Sequence, residues 1–149
     1  MDLMLDTNIV LDHIGRREPF YELSRRTCLL GIVGEARTFI SASMVTDLFY
    51  LLRKDFGGHE AQRMIEEDLS FLQVVGVSPE DVAAALAQKW NDFEDCLVGR
   101  CAKKAGADYI ITRNVKDFER SSVKAITPQQ LFDELDARGI VYREIPWVE

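Results

Sequence analysis

The chain has 149 residues, 47% hydrophobic and 29% charged, which is one domain's worth of sequence with enough apolar material for one sizeable core. Its 18 Lys and Arg face 25 Asp and Glu, and the net charge of −7 excludes a generic basic nucleic-acid binder. Cys28, Cys96 and Cys101 lack paired spacing and only His13 and His59 could join them, which argues against both a disulfide framework and structural zinc.

Leu3-Met4-Leu5 reads as a short buried strand ending at Asp6, followed by a short helical or turn segment over residues 8–14. Residues 15–19, Gly-Arg-Arg-Glu-Pro, break it. A helix is predicted over 20–36, a second strand at Phe39-Ile40-Ser41, and a helix capped by Ser43 and running to Lys54. Gly57-Gly58 ends that helix, and another spans 59–70 before a third strand at 72–77. Ser78 and Pro79 open the next helix, whose inward stripe is expected to be Val82, Leu86 and Trp90. Asp92 can cap a helix that Gly106 stops. A strand at Tyr109-Ile110-Ile111, a short helix from Asn114, a fifth strand at 123–126 and a helix from Thr127-Pro128 to Ala137 complete the series. Short apolar strands alternating with helices predict an α/β fold, three-layer α/β/α, with a central parallel sheet of about five strands. One domain is expected over 1–139, with an apolar tail at 140–149. Asp2 and Asp6 interrupt the N-terminal apolar residues, so neither a leader nor a membrane span is expected there, and the expected location is cytoplasmic.

In such sheets ligands sit beyond the carboxyl ends of the strands. Asp6 and Asn114 fall there, each just past a predicted strand. Asp6 alone is as readily a helix cap. Asp47 is the only charged residue between Met44 and Leu52, and a carboxylate in such apolar company must be paired, neutralised or metal-linked. Asp92 and Asp95, like Asn114 and Asp117, are three apart and could either share a face or form a capping pair; Glu94 is expected to point elsewhere, into solvent. Several carboxylates in one cleft repel, two at 4 Å by about 4 kcal/mol at an effective dielectric near 20, unless a cation lies between them. Hard oxygen donors without His or Cys suit Mg²⁺ or Mn²⁺.

Leu5-Asp6-Thr7-Asn8, the Asp92-to-Leu97 helix start, and the run from Gly106 to Phe118 containing Thr112-Arg113-Asn114 and Asp117 resemble PIN-domain proteins, with the bacterial VapC-type toxins as the nearest branch. The resemblance spans roughly residues 1–135. It implies a PIN-like sheet of about five parallel strands between helices and Mg²⁺- or Mn²⁺-dependent endonucleolytic cleavage of RNA. Carried over, Asp6 is the first metal-binding aspartate, supported by Thr7 and Asn8; Asp95 is the acid opening the later helix, with Asp92 accessory to it, and Asp117 belongs to the last motif. The chain has Asp47 where the family usually has Glu, and Asn114 where many members have Asp.

The expected mechanism has Asp6, Asp47 and Asp95 around one divalent ion, with Asp92, Asn114 and Asp117 as outer members, and in-line attack of water on an RNA phosphodiester. Arg113, Arg16 and Arg17 are candidate RNA contacts, with solvated surface charge as the alternative for each. Residues 1–54 hold seven cationic and seven acidic residues, so a phosphate-binding face is expected to draw on this third. The resemblance also implies an antitoxin partner, whose Arg could reach the carboxylates, and a homodimer. The rival reading is a non-catalytic PIN-like module that binds RNA or protein. A phosphotransferase using Asp6 as nucleophile ranks lower, because Asn8 stands where that chemistry usually has a second acid.

Overall fold

The structure, a computed structural model, describes residues 1–141. Five parallel strands form one sheet: β1 (Asp2–Leu5), β2 (Arg37–Ser41), β3 (Leu72–Val75), β4 (Tyr109–Ile111) and β5 (Ala125–Ile126), in the order β3-β2-β1-β4-β5. Among the described residues seven helices flank it: α1 (Thr7–Ile14), α2 (Tyr21–Ile32), α3 (Ala42–Phe56), α4 (Gly58–Asp68), α5 (Pro79–Gln88), α6 (Phe93–Ala105) and α7 (Pro128–Ala137). This is the expected three-layer α/β/α arrangement.

The central strands carry the core. Leu3, Met4, Leu5, Ile40, Ile110 and Ile111 are fully buried, since a strand covered on both faces must be apolar on both. At Gly31 in α2 a Cβ would lie 2.5 Å from Thr38 Oγ1, so only glycine allows this helix to approach β2 so closely. Gly106 takes the left-handed conformation (φ +67°) that stops α6 before β4.

Strand order locates the crevice. The chain steps outward from β1 through β2 to β3, then returns to β4 on the opposite side of β1. The topological switch point therefore lies beyond the carboxyl ends of β1 and β4, which pair Leu5 with Ile111. The residues that follow are Asp6 and Thr112.

Several local expectations are corrected. The second helix ends at Ile32, the third strand at Val75, and the fifth covers only Ala125–Ile126. α3 starts at Ala42, with Ser41 at the cap position making no side-chain cap; its Oγ instead pairs with Ser43 Oγ at 2.8 Å. The segment after Asn114 is one 3₁₀ turn, Val115–Phe118. Of the expected stripe, Val82 and Leu86 on α5 face outward, while Trp90 just beyond the helix is half-buried and packs against the core; the buried positions of α5 are Asp81 and Ala85. Asp81 is held there by Arg100 at 3.1 Å and Lys104 at 2.6 Å from α6. Burial of a carboxylate was not legible without its cationic partners. Residues 140 and 141 are exposed, and the rest of the expected tail, with Trp147, lies outside the described residues. Among the described residues no helix is long and apolar enough to cross a membrane.

Candidate active site at the sheet switch point

Asp6 leaves β1 with its backbone amide still donating to Ile111 O (3.0 Å) and then caps α1, accepting from the Thr7 amide at 2.8 Å. The cap reading of this residue is therefore true. It does not exhaust the side chain, because Asp6 Oδ2 also accepts from Thr112 Oγ1 (2.8 Å) and Asn8 Nδ2 (3.1 Å). Burial raises the Asp6 carboxyl above its ordinary range; the Thr112 and Thr7 hydrogen bonds oppose that, and the charges of Asp117 and Asp92 add to it.

Asp92 caps α6, accepting from the Asp95 amide at 3.0 Å, and both residues edge the crevice. The Asp95 carboxyl is pushed up to about 7, first by burial, then by Asp6, Asp92 and Asp117. Asp6 and Asp95 thus both respond to the charges of Asp92 and Asp117, across up to 111 positions of sequence. Asp117 enters from the 3₁₀ turn and is exposed. Asn114 is exposed too, with its backbone amide donating to Thr112 Oγ1 at 3.0 Å.

Asp47 lies in a neighbouring group. It is half-buried on α3 and hydrogen-bonded to Glu94, whose Oε1 also accepts from Thr7 Oγ1 at 3.3 Å. Burial and then the Asp47 bond and charge push the Glu94 carboxyl up to about 8. The expectation that Glu94 points into solvent is overturned: the first turn of α6 faces α3 as well as β1. Among the described residues no three His, Cys, Asp or Glu side chains gather closely enough to hold a metal ion by themselves.

The proposed RNA-contacting arginines are placed differently from one another. Arg16 and Arg17 are exposed in the connection after α1. Arg113 is not a solvated charge: its Nε donates to Asp12 Oδ2 at 2.8 Å, and its guanidinium lies 3.9 Å from the centre of the Phe20 ring. Sequence reasoning missed a second cationic group. A cleft of about 150 Å³ is lined by Asp92, Asp95 and Asp117 and also by Lys89, Lys116, Arg120 and Trp90. Arg120 donates to Gln88 O (2.8 Å) and Lys89 O (3.3 Å), holding the turn in which Lys89 takes a positive φ of 55°. The signal available was Lys89-Trp90 immediately before Asp92, a cation and an aromatic adjoining an acid.

The donor chemistry fits a hard divalent cation. Every candidate donor is an oxygen, and such ions are commonly held by one or two carboxylates with water completing the shell. Asp6 is fixed by three hydrogen bonds beside Asp95, so the crevice offers that pair.

A family model described as PIN domain matches residues 2–116. No curated protein matches the sequence at a significant level. Solved structures with the same fold include VapBC2 from Rickettsia felis bound to a DNA fragment from its promoter (TM-score 0.63, 23% identity, covering 85% of this chain and 98% of that one). FitAcB from Neisseria gonorrhoeae is similar at a TM-score of 0.65 and 20% identity, over 85% of this chain and 98% of its own. VapC20 of Mycobacterium tuberculosis, described as a Sarcin-Ricin loop cleaving toxin, aligns at a TM-score of 0.59 and 14% identity, over 72% and 86%. With the family model spanning most of the sequence and the acids assembled at the switch point of the sheet, the chain belongs to the PIN domain family.

Proposed function

We propose that this chain is a divalent-metal-dependent endoribonuclease and the toxin of a toxin–antitoxin pair. The observation that carries the reading is Asp95: its carboxyl is pushed to about 7 by burial and by Asp6, Asp92 and Asp117, at the place where an α/β sheet binds ligands. Mg²⁺ or Mn²⁺ bound there would offset the repulsion among these carboxylates, make a water more acidic and stabilise charge on a phosphate. Asp6 and Asp95 are the residues to hold it, with Asp92 and Asp117 as outer acids and Asn114 as a neutral donor. Thr112, Thr7 and Asn8 fix the direction of Asp6. Asp47 acts through Glu94, whose raised carboxyl retains a proton near neutrality beside Thr7. The RNA strand enters along the cleft, where Lys89 and Lys116 offer cations to its phosphates.

The solved complexes named VapBC support an antitoxin partner. A homodimer has an exposed apolar strip available at Val82 and Leu86, one helical turn apart on α5. The chain's three cysteines are free, which supports a reducing, cytoplasmic location.

The test is cleavage of mixed-sequence RNA with Mn²⁺ by the wild type, Asp6→Asn and Asp95→Asn. Loss of activity in both variants by about 10²-fold or more is expected; equal cleavage by all three refutes the assignment. One observation favours the rival, a non-catalytic RNA- or protein-binding module: the Asp47 side chain is engaged by Glu94. That reading expects RNA retention without metal dependence, and calorimetric titration with Mn²⁺ separates the two.

A further inference from the structure

Asp12 is the least expected charge in the molecule. It is 0% exposed in α1, one helical turn beyond Asn8, and neither the acid motif nor the crevice accounts for it. Its partner is Arg113. The guanidinium donates to Asp12 Oδ2 at 2.8 Å and approaches Oδ1 at 3.5 Å, while its face rests on Phe20. The backbone amide of the same arginine donates to Asn8 Oδ1 at 3.3 Å, and Asn8 Nδ2 donates to Asp6 Oδ2 at 3.1 Å. Residues 8 and 12 of one helix face thus hold one residue at its two ends. Arg113 also sits between Thr112, which donates to Asp6, and Asn114, which opens the turn carrying Asp117.

We infer that Asp12 and Arg113 are positioning residues: their ion pair sets the register of the β4-to-3₁₀ connection against α1, and through Asn8 and Thr112 it fixes the direction of the Asp6 carboxylate and the placement of Asp117. This rests on the nuclease reading above. The physical argument is geometric. Asp6 needs one oxygen oriented toward the crevice, and only hydrogen bonds from a rigid neighbour can hold it there against the pull of water. A planar guanidinium meets the carboxylate and the Phe20 face at once; a lysine ammonium cannot do both. The arrangement also explains why a charged pair is kept in a layer that apolar side chains could fill.

The test compares Asp12→Asn, Arg113→Lys and the double variant Asp12→Leu/Arg113→Met with the wild type. The double variant replaces the buried pair by apolar groups, an exchange that often preserves stability while removing the ionic geometry. Three readouts are taken: thermal unfolding, kcat and KM on an RNA oligonucleotide with Mn²⁺, and Mn²⁺ affinity by calorimetry. The expected result is a folded double variant with kcat lowered about 10–100-fold, the usual size for an outer-shell partner, KM within about twofold, and Mn²⁺ bound about tenfold more weakly. Arg113→Lys should fall between it and the wild type. A folded double variant with wild-type kcat and Mn²⁺ affinity overturns the inference, as does failure of all three variants to fold, because the pair would then serve the fold alone. A wild type that binds Mn²⁺ and cleaves no RNA refutes the nuclease reading only, and the variants' Mn²⁺ affinities still decide this one. A wild type that binds no Mn²⁺ overturns both.

Discussion

A carboxyl group raised to about 7 holds a proton that the unfolded chain has already released above pH 4, and that difference has a sign. For Asp95, and for Glu94 at about 8, the native state binds more protons than the unfolded state between roughly pH 4 and these raised values. Their contribution to the metal-free protein is therefore fully present below about pH 4 and is lost as pH rises through 7 to 8. Asp95→Asn removes one of these titrations and one source of repulsion. Without metal it should unfold at a higher temperature than the wild type at pH 8, by roughly 2–4 °C for each 1 kcal/mol relieved, and the gain should shrink toward pH 5. A gain of equal size at pH 5 and pH 8 would mean that Asp95 is an ordinary exposed carboxylate. At this scale the sequence showed unequal amounts. Asp6, Asp92 and Asp95 were readable because a helix cap and a strand end fix their positions through the backbone. Glu94, Asp12 and the role of Arg113 were not, because each depends on which neighbour a helix face meets after folding. Arg113 could be seen as a charge next to the motif; that it turns back onto Asp12 is a property of the α1–β4 contact.

Element boundaries were legible where the chemistry is local. The Ser78–Asp81 capping box and the Thr127–Gln130 box both form, each followed by proline in the first turn. Facing was less legible. In α5 the apolar stripe Val82–Leu86 is outside and Asp81 is inside, because the hydrophobic pattern of a short helix competes with a carboxylate that α6 supplies with two cations. The same α5–α6 connection creates the cationic edge of the crevice. The side chains of Lys89 and Lys116 are exposed and make no hydrogen bond or ion pair among the described residues, beside Asp92, Asp95 and Asp117. If RNA phosphates lie along this edge, Lys89→Glu and Lys116→Glu in an Asp6→Asn background should each weaken binding of a single-stranded RNA at low salt. Each should also reduce the slope of log affinity against log salt by about 0.7, the value for one phosphate contact on a single strand. Filter binding between 50 and 200 mM salt measures it; an unchanged slope would move the RNA path to the face carrying Arg16 and Arg17. The sequence-level expectation that the first third supplies the phosphate-binding face followed from charge counting, and Lys89, Lys116 and Arg120 show why that is weak: a parallel sheet brings residues about 110 positions apart to one edge.

At the scale of the molecule, architecture and site have the same origin. Alternating short strands and helices foretold a parallel sheet; the strand order, which was not foretold, places the crevice by putting β4 against β1. The acids at that junction concentrate part of the chain's net charge of −7 in one place, so the metal-free protein folds against its own charge. Any ion that binds only the native state adds RT ln(1 + [L]/Kd), about 2.7 kcal/mol at one hundred times Kd, and raises the unfolding temperature accordingly. Binding must displace the protons held on the raised carboxyls, so the effect depends on pH. Mn²⁺ should stabilise the wild type more at pH 8, where Asp95 has released its proton, than at pH 6, where it has not. Asp6→Asn should abolish most of the shift at both pH values. Thermal unfolding with and without Mn²⁺ at the two pH values measures this directly. A shift that is independent of pH, or that survives in Asp6→Asn, would place the ion on surface carboxylates such as Glu60 and Glu67 of α4, away from the junction of β1 and β4, and would separate the metal from the crevice that the strand order creates.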